Sequence, residues 1–86
     1  MEHFAGLDVG VKETSVCVVD EAGTILLEVS VPTDPDVLVK ALKPWRRTLR
    51  RVGHEAGSLS PWLQRELEAR GACRRRAWMR SRRAMQ

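Results

Sequence analysis

The stretch "GLDVGVKETSVCVVDEAGTILLEVSV", residues 6–31, decides the fold class. It holds three apolar, β-branched runs split by two short polar links, and that is how a β-meander reads. The first run, "HFAGLDVGV", is short and small, with two glycines that suit a strand whose backbone approaches another group closely. Lys12 and Glu13 make the turn into "TSVCVVD", Thr14 to Asp20, and "EAG" carries the chain on to "TILLEVSV", Thr24 to Val31. Gly23 supplies the positive φ that such a hairpin needs. One residue fails to fit. Asp8 stands in the middle of a strand that otherwise reads as buried, where a charge requires a partner or a metal.

Beyond Val31 the period changes. In "PTDPDVLVKALKPW" the residues Asp34, Pro35 and Asp36 supply a cap, a φ-restricted first helical residue and negative charge. Leu38, Leu42 and Trp45, with Val37 and Ala41 beside them, form a helical stripe, and Pro44 ends the helix or closes its last turn. "RVGHEAG" predicts a brief fourth strand. "SLSPWLQRELEARG" predicts a second amphipathic helix with Leu59, Trp62, Leu63 and Leu67 on one face, capped by Ser58 or Ser60 and ended by Gly71. The expected order is therefore β-β-β-α-β-α in an α/β fold. Because a helix joins strands three and four, the sheet is expected to be mixed, with the meander on one side and a parallel strand joined to it.

Length and charge bound the functional classes. The 86 residues make one small domain, 43% hydrophobic and 30% charged, with no signal-peptide pattern and no apolar run near the ~20 residues of a membrane span. A cytoplasmic location is expected. The net charge of +4 is uneven: residues 70–86 hold seven of the 15 basic residues and no acid, leaving residues 1–69 at −3. After Gly71 no periodicity remains, so residues 72–86 are expected to be a disordered basic tail. Its arginines Arg74, Arg75, Arg76, Arg80, Arg82 and Arg83, with Lys12 of the first turn, are candidates for phosphate contacts. The same residues also read as an unfolded basic end and a solvated turn lysine. Cys17 and Cys73 lack metal-ligand spacing and read as free thiols, Cys17 as a small core residue. His3 has no identifiable partner.

Asp8 and Glu55 are the residues through which chemistry could run. If strand four is parallel and adjacent to strand one, their carboxylates meet near the strand ends, where α/β folds place their sites. A divalent cation such as Mg²⁺ would hold two facing carboxylates together. Equally, an Asp beside glycine serves in turns and a Glu before Ala-Gly serves as a solvated strand end. His54 points away from Glu55 by strand alternation and reads as packing or surface.

With these residues in place, "GLDVGVKETSVCVVDEAGTILLEVSVPTDPDVLVKAL" and "RVGHEAGSLSPWLQRELEARG" together resemble the amino-terminal part of the IS110-type insertion-sequence transposases. The likeness runs from about Met1 to Gly71. It lies in the Asp-bearing first strand, the "KETSVCVVD" hairpin and the "EAG-LS-WL" segment, in the family's order. It implies a partial ribonuclease H-like, RuvC-like domain over residues 1–71, binding Mg²⁺ with four acids for DNA strand cleavage and transfer. Asp8 takes the place of the first Asp and Glu55 that of the Glu; the other two Asp have no counterpart, since no acid follows Glu68. The family also carries a carboxy-terminal domain with a serine nucleophile, and its members resemble elements that use a guide RNA.

In the family a Val-rich strand and a basic segment around "DARHAKA" follow the position of Gly71. Here arginine and tryptophan replace them, and a frameshift in GC-rich coding DNA is the expected origin of a truncated remnant, inactive alone. DNA is the expected partner, with full-length transposase, or a second copy through an exposed sheet edge, as further ones. The alternatives are a RuvC-like nuclease or resolvase, a non-enzymatic DNA-binding fragment, and the sugar-kinase and actin-like ATPase fold. The last also begins with such a hairpin, but usually places Gly, Thr or Ser after the Asp, where Val11 and Lys12 stand here.

Overall fold

A computed structural model of the chain describes residues 1–55, 60–72 and 78–81. The expected meander is present: β1 (His3–Val9), β2 (Glu13–Asp20) and β3 (Ile25–Pro32) pair antiparallel in sequence order. At the β2–β3 link the Asp20 carboxylate accepts from the Ala22 and Thr24 amides, both at 2.9 Å, and Gly23 takes φ +85°. An Asx turn followed by a left-handed glycine thus reverses the chain.

Helix α1 (Pro35–Leu42) starts where the sequence demands. Asp34 is extended and its Oδ1 accepts from the Asp36 amide at 2.9 Å, with Pro35 in the first turn. Asp34→Ala is expected to cost about 1 kcal/mol, since that amide loses its partner. Urea denaturation would read it as a lower midpoint at unchanged slope. A single 3₁₀ turn, Lys43–Trp45, follows and contains Pro44. Strand β4 (Leu49–Glu55) then returns parallel to β1, and α2 (Ser60–Ala69) packs on the same face of the sheet as α1.

Helix α2 closes on a Schellman arrangement. Gly71 has φ +69°, its amide reaches the Glu68 carbonyl at 3.0 Å, and the Ala72 amide reaches that of Leu67 at 3.1 Å. Arg70 is not loose basic charge. It pairs with Asp36 and Glu66, both at 2.8 Å, and those carboxylates raise its pKa above the ordinary arginine value, the Asp36 hydrogen bond first. The end of α2 is thereby tied to the start of α1.

The basic tail departs from its expected lack of structure at residues 78–81. They form β5 (Trp78–Ser81), parallel to β4, giving the sheet order β3-β2-β1-β4-β5. The backbone explains it: β4 would otherwise present a row of unpaired N–H and C=O groups, and a four-residue strand satisfies them whatever side chains it carries. Arg80 lies in this strand, whereas Cys73, Arg74, Arg75, Arg76, Arg82 and Arg83 fall outside the described residues, as do Ser58 and Leu59. β3 is left as an outer strand of the sheet, exposing Ile25, Leu26 and Val29.

One side of the sheet forms the core. Ala5 and Leu7 of β1, Val16 and Val18 of β2 and Val52 of β4 meet Leu38 and Leu42 of α1 and Leu63 and Leu67 of α2. The intervening residues Gly6, Asp8 and Ser15 are exposed on the other side. β1 is thus buried on one face only, which corrects the reading of Asp8 as a charge inside a buried strand. Cys17 shares its parity and is only half-buried, not a core residue. Trp62 is 37% exposed at the margin of α2, one position off the Leu63–Leu67 stripe. Among the described residues no helix is long and apolar enough to cross a membrane.

Candidate functional site

The site is built at the carboxyl ends of β1 and β4. Leu7 and His54 are the last register partners of these parallel strands, and Asp8 and Glu55 each follow that pair by one residue. On the other side Asp8 pairs with Ser15 of β2, and Glu55 pairs with Ser81 of β5. One step back, Gly6 and Gly53 are also register partners. With no side chain at either, and nothing within 4 Å of a Cβ built at Gly6, the sheet face just before Asp8 is bare backbone.

The turn after Asp8 is tightly held. The Gly10 amide donates to the Glu13 carbonyl at 2.9 Å, and the Gly10 carbonyl accepts from the Thr33 hydroxyl at 2.7 Å. Since Thr33 spends its one proton there, the fully buried Thr14 hydroxyl donates to Thr33 Oγ1 at 2.8 Å. The Thr33 amide also reaches the Lys12 carbonyl at 2.9 Å. The ends of β1, β2 and β3 are thus locked together, and Lys12 is exposed in the same turn. The close backbone approach that the two glycines implied is real at Gly10 and absent at Gly6.

His54 lies on the face opposite Asp8, as its parity requires, and is 4% exposed. Its Nε2 donates to Gln64 Oε1 at 3.1 Å, and Gln64 Nε2 donates to Glu68 at 2.9 Å. This chain fixes α2 against the strand that carries Glu55. The sequence marked His54 as packing or surface, but gave no sign of Gln64 as its partner.

As a metal centre the arrangement is incomplete. Two carboxylates are hard oxygen donors of the kind Mg²⁺ takes, against roughly six ligands in its octahedral shell. Among the described residues no group of three or more His, Cys, Asp or Glu could hold a metal ion. The donor chemistry fits; the count leaves most of the shell to water, substrate or further acids.

No protein-family model and no curated protein matches the sequence. Among solved structures the chain is similar to the Ppx/GppA phosphatase of Aquifex aeolicus in its type II variant, with TM-score 0.51 at 9% identity over 94% of this chain and 36% of that one. A second structure, of the Aquifex aeolicus PPX-GPPA enzyme, gives TM-score 0.46 at 8% identity over 93% and 36%. The chain thus spans little more than a third of the phosphatase it resembles. At such identity the likeness is one of fold alone: a small α/β unit with a mixed sheet.

Proposed function

We propose that the chain is a partial RuvC-like domain of a DNA transposase, in which Asp8 and Glu55 are two of the acids of a divalent metal site. The observation that supports the reading is the parallel register of β1 and β4, whose last pair, Leu7 with His54, immediately precedes positions 8 and 55. Two neighbouring carboxylates repel, and a divalent cation removes that repulsion. When bound, Mg²⁺ would supply positive charge to a phosphodiester oxygen. Asp8 and Glu55 would hold it, while the bare Gly6–Gly53 backbone lets a strand come close to the sheet.

The chain alone is expected not to cleave DNA, because two acids do not fill the centre. Its partners on this reading are DNA and an intact transposase, or a second copy through the exposed β3 edge, with a guide RNA belonging to the intact family. The frameshift origin of residues 72–86 is tested by translating the coding DNA in its other two frames; if neither yields a Val-rich strand, that origin is wrong.

The cation itself is testable. Mn²⁺ added to the labelled chain is expected to broaden the amide resonances of Asp8, Val9 and Glu55, weakly and at millimolar concentration, and Asp8→Asn is expected to abolish the effect. Unbroadened resonances at those positions would sink the metal reading. Mg²⁺-dependent nicking by this chain, lost in Asp8→Ala, would overturn its inactivity.

The fold likeness to the Ppx/GppA phosphatase favours a second reading, a phosphate-handling unit of the actin-like kind. Val11 and Lys12 occupy the turn where such folds usually cradle phosphate with Gly, Thr or Ser. ATP binding measured by calorimetry would favour this reading over the transposase.

A further inference from the structure

From Val37 to His54 the sequence contains six basic residues and no acid. The structure gathers three of them around one feature. Lys43, Arg46 and Arg47, with Pro44 and Thr48, line a surface hollow of about 320 Å³ at the amino end of β4, the end of the sheet opposite Asp8. All three cations are exposed, and among the described residues none of the three forms an ion pair. Nearby, Glu2 is engaged by Arg50 at 3.0 Å.

The turn that displays them is braced. The Arg46 amide reaches the Lys43 carbonyl at 3.2 Å, and the Thr48 amide and hydroxyl reach the Trp45 carbonyl at 2.9 and 3.2 Å. Thr48 Oγ1 therefore accepts from His3 Nδ1 at 2.8 Å, and the His3 amide donates to the Thr48 carbonyl at 2.9 Å. The His3 and Trp45 rings lie 6.4 Å apart, tilted by 51°. His3, without a visible partner in the sequence, thus anchors this turn to β1. Among the described residues the lining of this concave surface holds three cations and no acid.

We propose that the Lys43–Arg46–Arg47 hollow binds the phosphodiester backbone of nucleic acid, as an anchor separate from the Asp8 end. Strands of seven residues set the two ends about 20 Å apart, roughly six base-pair steps of a duplex. Guanidinium and ammonium groups without base-reading geometry would hold phosphates irrespective of sequence. The anchor goes beyond the metal reading: failure of Mn²⁺ binding at Asp8 leaves its expected result unchanged.

The experiment is fluorescence anisotropy of the full chain with a labelled 20-base-pair duplex across a salt series. If each side chain neutralises one phosphate, the combined variant Lys43→Gln, Arg46→Gln, Arg47→Gln flattens the log–log salt slope by about 2.7. Between roughly 50 and 200 mM salt the wild-type affinity should then fall about 40-fold further than the variant's. Arg46→Lys with Arg47→Lys keeps the charges and should keep the slope, whether or not the neutral variant folds less well. The difference should also persist in a background of Arg74→Gln, Arg75→Gln and Arg76→Gln. An unchanged slope in the neutral variant, or a difference that vanishes in that background, overturns the anchor. Inorganic phosphate at constant ionic strength separates the sources: if millimolar phosphate erases the difference, the hollow is a free-anion site and the backbone assignment is wrong.

Discussion

Leu38→Ala is expected to lower the unfolding free energy by about 2–5 kcal/mol, a large share of what a chain of this size possesses. Leu38 is fully buried, at the centre of the α1 face. Among the described residues the leucines of both helices and the alternate residues of β1, β2 and β4 meet in a single cluster, which has to absorb the loss itself. A cavity left there would touch α1, α2 and the sheet together. Urea denaturation should show a much lower midpoint at the same slope, or no folded baseline at all. Leu26→Ala is the control: Leu26 is 42% exposed on β3, and its truncation should move the midpoint far less. Equal effects at the two positions would mean that the helices do not seat on the sheet as described.

Much of this arrangement is legible in the sequence because it rests on local chemistry. Asp34 before Pro35, Gly23 after an Asx turn and Gly71 at a helix end each have one good backbone solution, and each adopts it. The parallel direction of β4 required only one step of topology, since a helical connection joins it to the meander. Readings failed where the decision belonged to tertiary structure. β5 is selected by the unpaired edge of β4 and not by its own pattern. The burial of β1 depended on whether helices cover one face or two, which a short apolar run with glycines does not reveal. Trp62 sits one position off the buried stripe, a rotation of about 100° that composition alone cannot detect. His3 found Thr48, 45 residues away, where β1 meets the start of β4, and Gln64 found His54 where α2 seats on the sheet, both contacts that only the folded structure brings together.

Gly10→Ala is expected to destabilise the chain by about 1–3 kcal/mol, while Gly6→Ala, four residues earlier, should stabilise it by some 0.4–1 kcal/mol. The opposite signs follow from what a methyl group meets. At Gly10 a Cβ falls 2.6 Å from the Glu13 carbonyl oxygen, the acceptor of Gly10's own amide. Backbone must therefore shift, and both Gly10 hydrogen bonds, to Glu13 and from Thr33, are exposed to that shift. At Gly6 nothing lies within 4 Å of the added carbon, and the loss of glycine's freedom in the unfolded chain is a gain. Paired urea titrations would check the signs, and amide shifts at Asp8 and Val9 would show whether disturbance at Gly10 reaches the carboxylate. Because the Thr14–Thr33–Gly10 chain fixes the turn after Asp8, Gly10→Ala should displace position 8 relative to position 55. A cation response at Asp8 should then weaken in Gly10→Ala and survive in Gly6→Ala. Two alanine variants of equal stability would show that the turn after β1 has no such close approach, and Asp8 would lose the geometric hold on which its place in the site depends.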